Sequence, residues 1–196
     1  MTFSGGTVQN GTLTANGTAF VAQSGSVSAV LSGTQGLVKS GTGAVTLSAV
    51  NTYTGGTTVN AGSLLLSGGS DRLSSGGAIA VAGGVLDLGT SSQSTSGTVT
   101  FSGGTVQNGT LTASGTAFVA QSGSVSAVLG GTQGLVKTGT GAVTLSGVNS
   151  YTGGTTVNAG SLLLSGGSNR LSNTGRSRQR EAFWILGRLF KVQVGR

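Results

Sequence analysis

The 196-residue sequence contains no cysteine, no histidine and no proline, and only 13 of its side chains are charged. Without Cys or His the chain cannot supply the ligands of a zinc finger or an iron–sulfur cluster, nor a Ser-His-Asp triad. Gly accounts for 39 residues, but the Gly-X-Y period and proline of collagen are both missing. Leu, Ile, Val and Phe make up a quarter of the chain, enough for a buried core. We therefore expect a folded protein that is not an enzyme and uses no cofactor.

The formal net charge of +7 comes mainly from one end of the chain. Residues 176–196 hold six of the ten cationic side chains and one acid. The body, residues 1–175, carries six charged side chains: Lys39, Arg72, Lys137, Arg170, Asp71 and Asp87. Two separated acids exclude a paired-carboxylate glycosidase site and a calcium repeat, which need clustered carboxylates. We predict no nucleic-acid partner for the nearly uncharged body.

A tandem duplication organises the body. Residues 2–74 recur as residues 100–172, at an offset of 98, with six differences in 73 positions. We therefore treat residues 1–175 as one domain and residues 176–196 as a separate basic and hydrophobic tail. The favoured interpretation of the tail is foreign sequence left by a change of reading frame. The alternative is a basic amphipathic helix that lies on a membrane or a nucleic acid.

Short apolar runs separated by Gly, Ser, Thr and Asn predict an all-β body. Alternation such as Ala44-Val45-Thr46-Leu47-Ser48 has the period of two that is typical of strands. Leu47, Leu66 and Leu86 recur 19 and 20 residues apart, and about 20 residues per rung is typical of a stacked solenoid. We predict a parallel β-helix of roughly eight rungs.

The most specific motif spans residues 36–68 and recurs at 134–166. It resembles the autotransporter-associated β-strand repeat, also called the passenger-associated transport repeat, whose pattern is rich in spaced Gly, Leu, Asn and Tyr. The positions that match the pattern, all assigned a structural role, are Leu37, Lys39, Gly41, Gly43, Leu47, Asn51, Tyr53, Gly55, Thr57, Val59, Gly62, Leu64, Leu135, Lys137, Gly139, Gly141, Leu145, Gly147, Asn149, Tyr151, Gly153, Thr155, Val157, Gly160 and Leu162.

The resemblance implies a right-handed parallel β-helix from the passenger of a type V secreted protein. In such proteins the passenger is displayed at the cell surface or secreted, and its partner is a C-terminal outer-membrane β-barrel. The implied function is a non-enzymatic stalk or adhesin scaffold whose repeats assist folding and transport across the outer membrane. We expect neither a signal peptide nor the barrel within these 196 residues, so the expected location is that of the parent family.

Several residues permit a binding function as an alternative. The Asn51–Tyr53 turn and its copy, Asn149 with Tyr151, are interpreted either as a sugar-stacking platform or as a turn. In the turn interpretation, the ring packs over a neighbouring rung and the amide caps backbone groups. Threonine triplets at 12–14, 98–100 and 110–112 suggest ice binding. Lys39 and Lys137 are expected to be solvated.

Overall fold

The computed structural model describes residues 1–168, 170 and 171, and the backbone of residues 177–179. Throughout the described residues the regular elements are β-strands, and their pairings are parallel. The predicted all-β class is therefore confirmed. The tail interpretations, helical or foreign, fall on residues 176–196, which lie outside the described residues apart from one short strand.

Twenty strands follow one another along the chain. They are β1 (Thr2–Val8), β2 (Thr12–Thr14), β3 (Phe20–Val27), β4 (Val30–Ser32), β5 (Leu37–Lys39), β6 (Ala44–Leu47), β7 (Thr57–Val59), β8 (Ser63–Leu66), β9 (Ile79–Val81), β10 (Val85–Asp87), β11 (Ser92–Thr95), β12 (Val99–Gln107), β13 (Thr110–Ala113), β14 (Phe118–Val125), β15 (Val128–Gly131), β16 (Leu135–Lys137), β17 (Ala142–Leu145), β18 (Thr155–Val157), β19 (Ser161–Leu164) and β20 (Ser177–Gln179).

The strands stack into a β-solenoid with three faces. The first face runs β1-β3-β5-β7-β9-β12-β14-β16-β18-β20. The second uses the C-terminal halves of the long strands β1, β3, β12 and β14 together with β6, β8, β10, β17 and β19. The third contains β2 and β4, then β11, β13 and β15. Each turn of the coil visits all three faces, so successive rungs lie directly above one another.

The solenoid has about nine turns, against the roughly eight expected. Rung length varies, and some rungs are shorter than the assumed average. From Phe20 to its partner Leu37 the chain takes 17 residues, whereas from Thr57 to Ile79 it takes 22. The short rungs accommodate the additional turn.

One predicted alignment was wrong. Leu47 does pair with Leu66, but Leu86 pairs with Leu64 rather than with Leu66. The loop between β8 and β9 is long enough to shift the register by two residues. A shift of two preserves which side chains face inward, because the strand period is also two.

The core is a set of inward-facing stacks along the axis. Period-two alternation turns Phe20 and Ala22 inward, and both are fully buried. Aromatic rings stack between rungs, with centroid distances of 6.0 Å for Phe3 and Phe20 and 6.1 Å for Phe101 and Phe118. Within the described part of the chain, no helix has the length and hydropathy needed to cross a membrane.

Candidate functional site

The third face is interrupted in the region of the motif. Strands β2 and β4 pair at one end and β11, β13 and β15 pair further along, but the two rungs between them contribute no strand to this face. Residues 51–53 and 71–73 occupy this gap. Buried polar side chains replace part of the backbone ladder there, and they form the candidate site.

Asn51 joins three consecutive rungs with its side-chain amide. Its Oδ1 accepts a hydrogen bond from the Leu31 N–H at 2.8 Å, one rung earlier. Its Nδ2 donates to the Arg72 carbonyl at 2.6 Å, one rung later, and to the Ala49 carbonyl at 3.3 Å. Asn51 is 5% exposed, so these bonds are shielded from competing water. The amide therefore does the work of a strand residue in a rung that has lost its strand.

The second copy repeats this arrangement. The Leu129 N–H donates to Asn149 Oδ1 at 2.8 Å, and Asn149 Nδ2 donates to the Arg170 carbonyl. The prediction that these amides cap backbone groups is confirmed. Their partners lie in the rungs above and below, which makes the amides connections between rungs as well as turn caps.

Gln93 plays a related part that the sequence analysis missed. The Leu73 N–H donates to Gln93 Oε1 at 2.8 Å, and Gln93 Nε2 donates to the Ser94 carbonyl at 2.8 Å. Its side chain is buried. Alternation along β11 gave the available signal, because Gln93 and Thr95 occupy the two inward positions of that strand.

Lys39 is buried inside the solenoid, so the prediction of a solvated lysine was wrong. Its Nζ donates to the carbonyls of Ser40 at 2.7 Å, Gly41 at 2.9 Å and Ala61 at 3.0 Å. Three donors thus meet three acceptors, and one acceptor lies in the next rung. Lys137 repeats the arrangement with Thr138, Gly139 and Ala159.

The lysine cage depends on a close backbone approach. Gly62 has a φ of +61°, and a Cβ at this position would collide with the Gly41 and Gly43 carbonyls and approach Lys39 Nζ. Glycine therefore lets three carbonyl groups converge on the ammonium. Desolvation by burial lowers the pKa of Lys39 and of Lys137 from the ordinary value of 10.5.

Tyr53 closes the cluster on its other side. Its ring is fully buried, and its hydroxyl lies 2.5 Å from Thr57 Oγ1. Burial raises the pKa of the Tyr53 phenol to about 12, against the smaller opposing effect of its hydrogen bonds with Thr57 and Ser74. In the second copy Tyr151 lies 2.6 Å from Thr155 Oγ1 and packs against Phe118, with ring centroids 6.4 Å apart.

The other motif positions supply packing and turns. The leucines of both copies are buried in the core: Leu37, Leu47, Leu64, Leu135, Leu145 and Leu162. Val59 is buried and Val157 is half-buried. The glycines Gly41, Gly43, Gly55, Gly139, Gly141, Gly147, Gly153 and Gly160 lie where a Cβ would press on a neighbouring rung.

The burial of the cluster determines what it can do chemically. An aromatic ring with no exposed surface cannot stack on a sugar, so the interpretation of Asn51–Tyr53 as a glycan platform was wrong. The described residues contain no group of three or more acidic, His or Cys side chains that could hold a metal ion. The geometry is that of a connection between rungs.

The threonine triplets do not stack on one another. On the third face Thr12 and Thr14 lie beside Val30 and Ser32. Thr110 and Thr112 lie between Ser92 and Ser94 on one side and Val128 and Gly130 on the other. Each triplet is followed by a rung of different composition, which does not favour ice binding.

The fold and the cluster together define a class: a parallel β-solenoid in which buried amide and ammonium groups join successive rungs. The family model for the passenger-associated transport repeat matches residues 37–66 and 135–164. These two segments are passenger-associated transport repeats, and the chain is an autotransporter passenger-type β-helical segment. Neither a curated protein nor a solved structure matches the chain.

The matched segments contain the residues of the cluster. In each segment the match begins at the strand that carries the buried lysine and ends at the second strand of the following rung. The repeat family places the parent protein at the cell surface or outside the cell, and associates it with an autotransporter barrel.

Proposed function

We propose that this chain is a non-enzymatic structural segment of an autotransporter passenger. In this proposal it forms a surface-displayed or secreted stalk, or the scaffold of an adhesin. Its two repeats assist folding of the passenger and its transport across the outer membrane.

The bonds that leave each repeat support this proposal. Lys39 reaches forward to Ala61 and Asn51 reaches forward to Arg72, while Asn51 also accepts from Leu31 behind it. All of these bonds exist only when three consecutive rungs are stacked. A solenoid is stabilised mainly by interfaces between neighbouring rungs, so the repeat raises the cooperativity of stacking at its own position.

Cooperative stacking gives transport a direction. A rung that emerges from the membrane and docks on a folded rung buries its lysine and amide, with their hydrogen bonds made. Backward movement would require these polar groups to lose their partners while the chain unstacks. An unpaired buried polar group costs about 1–3 kcal/mol, and each repeat contains several such groups.

The chemistry of the exposed residues supports a role without catalysis. Asp87 is held by hydrogen bonds from Asn108, Gln107 and the Gly89 N–H. The phenol of Tyr53 is buried, as are the ammonium groups of Lys39 and Lys137. Each of these titratable groups is committed to contacts inside the solenoid, where a substrate does not reach.

The test is export of the whole chain from a Gram-negative cell, fused between a signal peptide and an autotransporter barrel. The variant pair Asn51→Ala and Asn149→Ala is compared with Asn60→Ala and Asn158→Ala, which remove exposed amides from the same repeats. We expect several-fold less protease-accessible chain on intact cells for the first pair at equal expression. Equal surface yields for both pairs would contradict the transport role.

A further inference from the structure

The first rung leaves one edge of its strands uncovered. Among the described residues, β1 pairs on one side only, with β3. Strand β12 contains the same sequence, since Thr100–Val106 repeats Thr2–Val8. It pairs with β14 on one side and with β9 and β10 on the other. The chain therefore presents one surface in two states, open and covered.

Burial records the difference between the two states. Leu13 is half-buried, whereas its copy Leu111 is fully buried. Met1 is 52% exposed, and it occupies the position of Val99, which is fully buried. The apolar side chains of the first rung thus match a core that is incomplete on one side.

Glycines on the open edge point to what covers it. A Cβ on Gly103 or Gly115 would collide with the carbonyl of Ala82 or Ser96 in the covering rung. The copies Gly5 and Gly17 have open space: the nearest atom is 3.7 Å away for Gly5, and none lies within 4 Å for Gly17. Neither glycine has a positive φ, so the backbone conformation does not require glycine there. Both have the shape needed for a rung placed as residues 75–98 are.

Polar groups on the edge match the same rung. In the covered copy Gln107 Nε2 donates to Asp87 Oδ2 at 2.8 Å, and Asn108 Nδ2 donates to Asp87 Oδ1 at 2.7 Å. Burial by itself would raise the pKa of Asp87, but these bonds and the Gly89 N–H outweigh it and hold the pKa below its ordinary value. Gln9 and Asn10, the copies of the two donors, are exposed.

We propose that the open edge of β1 and β2 is a docking surface for one further rung with the sequence of residues 75–98, joined to Thr2 in the same polypeptide. The register follows from the covered copy: the residues equivalent to Ala80 and Leu86 pair with Thr2 and Val8. The equivalent of Asp87 then accepts hydrogen bonds from Gln9 and Asn10. This proposal does not depend on the transport role.

Covalent attachment is part of the proposal for an entropic reason. Ordering one residue costs about 1–2 kcal/mol of backbone entropy. A free peptide the length of a rung would bear that cost together with the loss of its translational freedom. A rung that precedes Thr2 in the same chain is already positioned at the edge.

The test adds residues 75–99 before Thr2 of the whole chain, with Val replacing Met1 at the junction. We expect amide exchange at Leu13 to slow by at least about tenfold, toward the rate of Leu111, because the strand edge becomes buried. We also expect the urea midpoint to rise. An added rung of the same composition in scrambled order is the control, and equal protection by the scrambled rung would overturn the proposal.

Glycine variants separate docking from general stabilisation. Gly17→Ala should leave the urea midpoint of the original chain unchanged but should abolish the gain from the added rung. Gly115→Ala should lower the midpoint of both chains. A gain that survives Gly17→Ala would contradict the proposed contact, and protection of Leu13 by a free peptide of residues 75–98 would contradict the requirement for covalent attachment.

Discussion

Replacement of Asn51 by alanine tests the role of the amide between rungs. The substitution leaves the Leu31 N–H and the Arg72 carbonyl without the partners that they have at 2.8 and 2.6 Å. A buried polar group that loses its partner costs about 1–3 kcal/mol. Two such groups predict a loss of about 2–6 kcal/mol in the free energy of unfolding.

Equilibrium urea unfolding measures the effect, and two further variants locate its cause. Asn51→Leu restores most of the lost volume without the hydrogen bonds, so it should remain nearly as unstable as Asn51→Ala. Asn60→Ala removes an exposed amide and should change stability by no more than about 0.5 kcal/mol. Equal midpoints for Asn51→Ala and Asn60→Ala would refute the reasoning.

Three other outcomes follow from the cluster and its surroundings. Because the folded state raises the pKa of Tyr53 from 10.0 to about 12, its stabilisation is complete below pH 10 and is lost as the pH rises toward 12. The loss is about 2.7 kcal/mol, and Tyr53→Phe should remove this part of the pH dependence in denaturant titrations. Lys39 and Lys137 should resist an amine-reactive reagent in the folded chain and react in urea, as read by peptide mass spectrometry; rapid labelling without urea would contradict their burial. Because the folded state lowers the pKa of Asp87, its contribution is present above the unfolded pKa and is lost as the pH falls through the folded value. Asp87→Asn should flatten that acid limb of the stability curve, and an unchanged acid limb would count against the hydrogen bonds described.

The fold was predictable because its signals are local and repeated. Strand alternation and a spacing near 20 residues lead directly to stacked parallel rungs. The register after Leu66 was not predictable, because it depends on how many residues the loop between β8 and β9 absorbs. Leu86 could be placed one rung on, but its partner Leu64 required the coordinates.

The buried lysine illustrates a signal that was present and was given too little weight. The same alternation that turns Leu37 inward also turns Lys39 inward. A general preference of lysine for solvent opposed this placement, and the local pattern prevailed because three carbonyl groups satisfy the ammonium. Those carbonyls include one from Ala61, 22 residues away, so the compensating contact could not be read from the neighbouring sequence.

The amide prediction was correct in kind and incomplete in extent. Sequence alone indicated that Asn51 caps backbone groups, since asparagine commonly does so in turns. It could not indicate that the capped groups belong to the rungs on both sides, because that depends on stacking. The two copies allow this connection to be tested within one molecule.

Amide hydrogen exchange of the Asn51→Ala chain, resolved by residue, tests the central claim most directly. The duplication supplies the control, because Leu129 retains its bond to Asn149 while Leu31 loses its bond to Asn51. We predict that the Leu31 N–H exchanges at least about tenfold faster than in the parent chain, with Leu129 nearly unchanged. Unchanged protection of Leu31 would contradict the claim that the repeat amides hold successive rungs together.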